Sequence, residues 1–194
     1  MKRRIFIAIQ IHEGVKNAAE VYLKPFFSDK NIRIPKKEGW HITLVFCGYL
    51  EEEELKKVRE IVGNIASKIK SFEISPDRIL FYPPKRPCMV WLAFAASLRF
   101  SQLKKEIEDG IISFQTGGLF KNFRVDYPAN PHMTLCRFEE SYFPNIKKFL
   151  PDTGIDLLKE TAPFLVESVD IMESRLSREG ANYELVSRFN LKQL

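Results

Sequence analysis

The stretch HITLVF at residues 41–46 returns later in the chain as HMTLCR at residues 132–137. Both copies lie in β-prone segments and predict strands over residues 40–47 and 132–138. Because side chains alternate between the two faces of a strand, residues i and i+2 share a face and lie roughly 7 Å apart. Each copy therefore presents an imidazole and a hydroxyl side by side.

The repetition of this pattern points to chemistry. The chain holds three histidines, and His41 and His132 are the two that belong to the copies. A single His-x-Thr pair is usually structural, but two copies with a shared leucine favour a functional role. Two strands that face each other bring both imidazoles to one site, which suits a reaction with a general base and a general acid. Strict alternation places Ile42, Leu44 and Phe46 on the opposite face, toward a core.

The composition is typical of a soluble globular protein, with 45% hydrophobic residues and sixteen phenylalanines for a core. A net charge of +5 weakly favours an anionic partner. No apolar run approaches the ~18 residues of a membrane span, and the apolar run after the basic start is too short for a signal peptide. We therefore expect a cytoplasmic protein, and a monomer.

The three cysteines, Cys47, Cys88 and Cys136, form no CxxC pair and fit a reducing compartment. Strict alternation puts Cys136 on the same face as His132, but four strand positions span about 13 Å. Both residues therefore cannot hold one zinc ion with bonds of roughly 2.0–2.3 Å, and Cys136 is too distant for activation as a nucleophile. We expect no metal and no cofactor, and we expect the cysteines to be buried.

Hydrophobic periodicity predicts the remaining elements. Helices are predicted over residues 13–27, 51–70 and 98–114, the last ended by Gly117 and Gly118. Further strands are predicted over residues 5–9, 72–80, 89–95, 164–173 and 183–191, the last two as a hairpin around residues 178–182. The order indicates a mixed or antiparallel sheet, and a strand and a helix before each motif indicate an internal duplication. Because no low-complexity linker divides the chain, we expect one domain over residues 1–194.

The basic residues near the motifs are ambiguous from the sequence. Strict alternation places Arg137 opposite His132, unless the strand ends or bulges there. A surface role and a phosphate-binding role therefore both stay open for Arg137. The loop cations Lys36, Lys37, Lys85 and Arg86 stand between predicted strands, where solvated side chains are usual and a place at the border of the site is the alternative.

With these motifs, the chain resembles the 2H phosphoesterases, which are named for paired HxTx motifs. It is most similar to their branch of RNA 2′,3′-cyclic phosphodiesterases, once called 2′-5′ RNA ligases. The similarity extends to RIFIAI at residues 4–9, to Trp91 and to the tail over residues 173–185. It implies an α+β fold that is bilobal and pseudo-twofold, with two antiparallel sheets flanked by helices around a central cleft. Cys47 and Cys136 are minor departures from the pattern.

The resemblance also implies the chemistry, which is metal-independent hydrolysis of RNA 2′,3′-cyclic phosphate ends to 2′-phosphate. By analogy His41 is the proton donor and His132 the proton acceptor. Thr43 and Thr134, with Arg137, are the implied phosphate-binding residues. Because the two motifs are nearly symmetric, the sequence leaves the reversed assignment of acid and base open.

Other hypotheses keep the same site but change its use. The protein would join RNA ends through a 2′-5′ bond, or it would act on small cyclic nucleotides or a cyclic ADP-ribose phosphate. A binding module that holds a nucleotide or RNA end without turnover is the alternative from a different class. The sequence leaves the physiological RNA and the direction of the reaction in the cell open.

Overall fold

The computed structural model of the protein describes residues 2–95, 97–115, 130–149, 161–177 and 180–193. Gly117 and Gly118, and the hairpin residues 178 and 179, lie outside these ranges. The strands are β1 (Arg3–Gln10), β2 (Ile32–Arg33), β3 (His41–Leu50), β4 (Phe72–Ile74), β5 (Pro76–Tyr82), β6 (Met89–Phe94), β7 (His132–Phe138), β8 (Phe164–Val166), β9 (Ser168–Ser177) and β10 (Gly180–Asn190). The α-helices are α1 (Glu13–Leu23), α2 (Glu52–Ala66), α3 (Leu98–Gln115) and α4 (Phe143–Phe149).

In the described part of the chain, the strands form two four-stranded sheets and one two-stranded sheet. The first sheet has the order β10-β9-β1-β3, and the second has the order β2-β7-β6-β5. All the strand pairs are antiparallel. The first motif opens β3 at the edge of the first sheet, and the second motif opens β7 in the interior of the second sheet. The predicted α+β class with two antiparallel sheets is confirmed.

The helices begin and end for local reasons. Glu51 and Glu54 form a capping box at the start of α2, and acidic side chains in its first turn complement the helix dipole. The predicted helix over residues 13–27 ends as α-helix at Leu23, because Pro25 starts a 3-10 turn over Lys24–Phe26. Among the described helices, none combines the length and the apolar content that a bilayer span requires.

Two segments predicted as single strands are each divided between two sheets. Residues 72–80 break into β4 and β5, and residues 164–173 break into β8 and β9. Strands β4 and β8 pair with each other in the two-stranded sheet. Periodicity failed here because it records which face of a strand is apolar, whereas the choice of sheet depends on a partner far along the chain.

A one-residue bulge follows the His-x-Thr pair in both motif strands. In β3 the partners of Thr43 and Val45 are consecutive residues of β1, so Leu44 is the extra residue. In β7 the partners of Thr134 and Cys136 are consecutive residues of β6, so Leu135 is the extra residue. Since a bulge adds one residue to the alternation, the side chains that follow it change face.

The bulges correct two predictions that rest on strict alternation, for Phe46 and Cys136, and decide the face of Arg137, which the sequence left open. Phe46 does not face the core but lines the cleft and is 43% exposed. Cys136 does not share the face of His132 but is buried. Arg137 does share that face and lines the cleft. In both strands the two consecutive residues at the bulge are buried and the next residue is exposed.

Lys104 on α3 supports the bulge in β3. Its Nζ donates a hydrogen bond to the carbonyl oxygen of Leu44 at 2.9 Å and pairs with the carboxylate of Glu108. Only 13% of the Lys104 side chain is exposed. A buried ammonium requires such partners, so α3 and the bulge hold each other in place.

The variant K104M tests this support. It removes a donor to the Leu44 carbonyl and leaves Glu108 without its cation, so we expect the free energy of unfolding to fall by about 1–3 kcal/mol. The neighbouring variant K105M is the matched control, because Lys105 forms the same i,i+4 pair with Asp109 but is 74% exposed. We expect K105M to change stability by less than about 0.5 kcal/mol. Equal effects of the two variants in urea unfolding would contradict the role of Lys104.

Candidate active site

A cleft with a volume of about 580 Å³ lies between the two four-stranded sheets. The structure brings all five residues singled out from the sequence to its lining: His41, Thr43, His132, Thr134 and Arg137. The first sheet supplies one His-x-Thr pair and the second sheet supplies the other. Neither sheet alone carries both imidazoles.

Both imidazoles are oriented by a carbonyl two residues before them. Nδ1 of His41 lies 2.6 Å from the Gly39 oxygen, and Nδ1 of His132 lies 3.0 Å from the Asn130 oxygen. A carbonyl oxygen only accepts hydrogen bonds, so in each ring Nδ1 carries the proton and donates it. The neutral rings therefore keep Nε2 unprotonated, and Nε2 of His41 accepts from the Thr43 hydroxyl at 3.1 Å.

His132 lies in a stack of three rings. Its imidazole stacks on Trp91, with ring centroids 3.7 Å apart and an interplanar angle of 19°. The other neighbour of Trp91 is Tyr82, at 3.6 Å and 17°. Trp91 comes from β6, the strand next to β7 in the sheet, and Tyr82 comes from β5, the strand beyond β6. The stack fixes the plane of the His132 ring, and the Nδ1 hydrogen bond fixes its rotation in that plane.

His41 has different aromatic neighbours. Phe6 lies at 4.8 Å with a tilt of 34°, and Tyr183 meets the imidazole edge-on at 5.0 Å and 84°. Burial lowers the pKa of His41 from 6.5 to about 4, although its hydrogen bond to Gly39 raises it, and the charge of His132 contributes to the lowering. At neutral pH the free His41 is therefore neutral.

The pKa of His132 is also lowered, first by burial and then by the positive charge of Arg137, while its bond to the Asn130 carbonyl acts in the opposite direction. The guanidinium of Arg137 stands on the same face as His132 and donates to the thioether sulfur of Met89. A thioether is a weak acceptor. Arg137 therefore keeps most of its hydrogen-bonding capacity for an anion in the cleft.

Several lining residues were not found from the sequence as site residues. Tyr82, Lys104 and Tyr183 line the cleft beside the motifs, yet each comes from an element distant in sequence. No local pattern identifies them, because their position depends on the sheet order. For two of the loop cations the structure agrees with the expected surface role: Lys37 binds Glu20, Arg86 pairs with Glu140, and neither lines the cleft.

The buried thiols have no part in this constellation. Burial raises the pKa of both Cys47 and Cys136 to about 12, so neither is a thiolate near neutral pH. Within the described ranges, no three His, Cys, Asp or Glu side chains lie close enough together to hold a metal ion.

The chain is similar in sequence to known phosphoesterases. The family model described as LigT like phosphoesterase matches residues 9–91. The chain is 28% identical to an RNA 2′,3′-cyclic phosphodiesterase of Bacillus subtilis, with 96% of this chain and 95% of that protein covered. It is 26% identical to the RNA 2′,3′-cyclic phosphodiesterase of Methanocaldococcus jannaschii, with 96% and 99% covered.

The fold is similar to that of Escherichia coli LigT, whose structure in complex with 3′-AMP aligns with a TM-score of 0.77 at 21% identity, over 100% of both chains. The resemblance to the LigT-like 2H phosphoesterases is thus confirmed in sequence and in fold. The curated relatives support a phosphoesterase in general terms.

The lowered pKa of His41 makes a prediction about stability. The folded state holds this proton with a pKa of about 4, against 6.5 for an ordinary histidine. The unfolded state therefore binds more protons between pH 4 and pH 6.5. The contribution of His41 to the free energy of unfolding is present above pH 6.5 and is lost as the pH falls toward 4. Over this range we expect the free energy of unfolding of the variant H41Q to fall by about 1–3 kcal/mol less than that of the original protein. Parallel curves of unfolding free energy against pH would contradict it.

Proposed function

We propose that this LigT-like phosphoesterase hydrolyses RNA ends that carry a 2′,3′-cyclic phosphate and leaves a 2′-phosphate. The proposal rests mainly on the composition of the cleft. Two imidazoles, each oriented through Nδ1, lie there beside two threonine hydroxyls and one arginine. The names of the relatives support this substrate, and the complex of E. coli LigT with 3′-AMP supports a nucleotide in the cleft.

The reaction needs two proton transfers. Nε2 of His132 takes a proton from water while the water oxygen forms a bond to phosphorus. The bond from phosphorus to O3′ breaks, and Nε2 of His41 donates a proton to the departing O3′. Each such transfer typically contributes about 10²–10⁴ in rate. Thr43 and Thr134, together with Arg137, donate to the non-bridging oxygens, on which negative charge develops.

The surroundings of the two imidazoles favour His132 as the base and His41 as the acid. A base becomes a cation as it works, and the face of Trp91 stabilises the imidazolium of His132. An acid must release its proton, and burial makes protonated His41 a strong acid. The anionic phosphate bound beside His41 favours its protonated form before the reaction. The motifs are symmetric in sequence, but their environments are not.

The composition of the cleft also bears on the organisation of the chain. Each of the two sheets supplies one imidazole and one threonine to the cleft. We therefore propose that residues 1–194 act as a single bilobal domain.

The direct test is an assay of a short RNA that ends in a 2′,3′-cyclic phosphate, with EDTA present. We expect a 2′-phosphate product, and we expect H41A and H132A each to lower kcat by about 10²–10⁴. The control is H12N, because His12 caps α1 outside the cleft and asparagine is an equally good cap. Unchanged turnover by H41A and H132A would refute the two-histidine mechanism.

A further inference from the structure

The cleft face of the first sheet continues beyond the His-x-Thr pair. After the bulge at Leu44, a second irregularity in the pairing of β1 with β3 leaves Cys47 unpaired. Phe46 is then opposite Phe6, and Tyr49 is opposite Arg4. Directly opposed residues of an antiparallel pair point to the same side. A row of side chains therefore runs from the imidazole of His41 toward the end of β3.

Arg4 is the cation of this row. It is exposed and lines the cleft, and no ion pair of Arg4 is found within the described residues. Its neighbour Arg3 points to the other face, where it pairs with Glu173 at 2.9 Å and also with Glu52. The alternation of β1 therefore gives two adjacent arginines different surroundings, and Arg4 keeps its charge for a ligand of the cleft.

The distance along the strand separates Arg4 from the reaction centre. Thr43 is opposite Ala8 on β1, and Arg4 comes four residues before Ala8, which corresponds to about 13 Å between their Cα atoms. Arg4 therefore does not duplicate Arg137 at the cyclic phosphate. A second anion, displaced from the first along β1, is the group within its reach.

Two exposed aromatic side chains accompany Arg4. Phe46 is 43% exposed and Tyr49 is 55% exposed, and both belong to the cleft face of β3. A positive side chain that tracks the backbone and aromatic rings on which bases stack are the combination that binds single-stranded nucleic acid. Aromatic rings without a cation would suit many apolar partners, but here the charge complements a polyanion.

We infer that this row, formed by Arg4, Phe46 and Tyr49, binds the RNA on the 5′ side of its terminal nucleotide. Arg4 contacts the phosphate that joins the terminal nucleotide to its predecessor, and the aromatic rings carry the neighbouring bases. The inference rests on the proposed function and names its substrate class. The enzyme acts on the end of an RNA strand in preference to a nucleoside 2′,3′-cyclic phosphate.

The test compares a nucleoside 2′,3′-cyclic phosphate with the same compound carrying a 5′-phosphate. We expect a higher kcat/KM for the 5′-phosphorylated compound, and we expect R4Q to lower the ratio of the two values by about threefold to tenfold. R3Q is the matched control and keeps the ratio, because Arg3 faces away from the cleft. The preference should also weaken as salt is added.

The outcomes separate this inference from the function on which it rests. Turnover of both compounds with equal kcat/KM, or a ratio that R4Q leaves unchanged, would overturn the role of Arg4 and leave the hydrolysis intact. Absence of turnover with both compounds and with the short RNA that ends in a 2′,3′-cyclic phosphate would overturn the proposed function and the inference with it.

A second pair of variants tests the aromatic part of the row. A dinucleotide that ends in a cyclic phosphate adds a base to the 5′-phosphorylated compound. We expect Y49A to reduce the advantage of the dinucleotide by about fivefold or more, whereas L185A keeps it. Leu185 is the control because it is 53% exposed on β10, at the far edge of the same sheet. Equal behaviour of Y49A and L185A would overturn the stacking role.

Discussion

Each motif strand contains one extra residue immediately after its His-x-Thr pair, and the arrangement of the cleft depends on it. Without the bulges at Leu44 and Leu135, Phe46 and Arg137 would point away from the imidazoles. With them, each strand places a histidine, a threonine and a third side chain on one face. The Lys104 ammonium bound to the Leu44 carbonyl shows that one of these bulges is held from outside its sheet.

The two motif strands place different side chains at matching positions. The third position is an arginine in β7 and a phenylalanine in β3, so this position carries a charge in one strand and an apolar ring in the other. The imidazoles differ in the same way, because His132 stacks on Trp91 whereas His41 is more strongly desolvated. A symmetric pair of motifs thus acquires an asymmetric environment, which an acid and a base require.

The repeated motif predicted the two strands, the four side chains of the His-x-Thr pairs and, through the resemblance, the α+β fold. It failed, or left alternatives open, where the answer depends on a partner strand. The direction of Arg137 follows from the pairing of β7 with β6, and the division of residues 72–80 follows from the choice of sheet. Lys104 and Tyr82 line the cleft because of the way the strands and helices are arranged in the fold. No local pattern in the sequence predicts this arrangement.

The most direct measurement uses a substrate in which sulfur replaces the bridging O3′ of the cyclic phosphate. A thiolate departs without a proton, so the loss of the general acid no longer slows the reaction, while the loss of the base still does. We predict that H41A turns over this substrate at a rate close to that of the unmodified enzyme and that H132A remains slow. Rescue of H132A instead of H41A would contradict the assignment, and rescue of neither would contradict acid catalysis by these imidazoles.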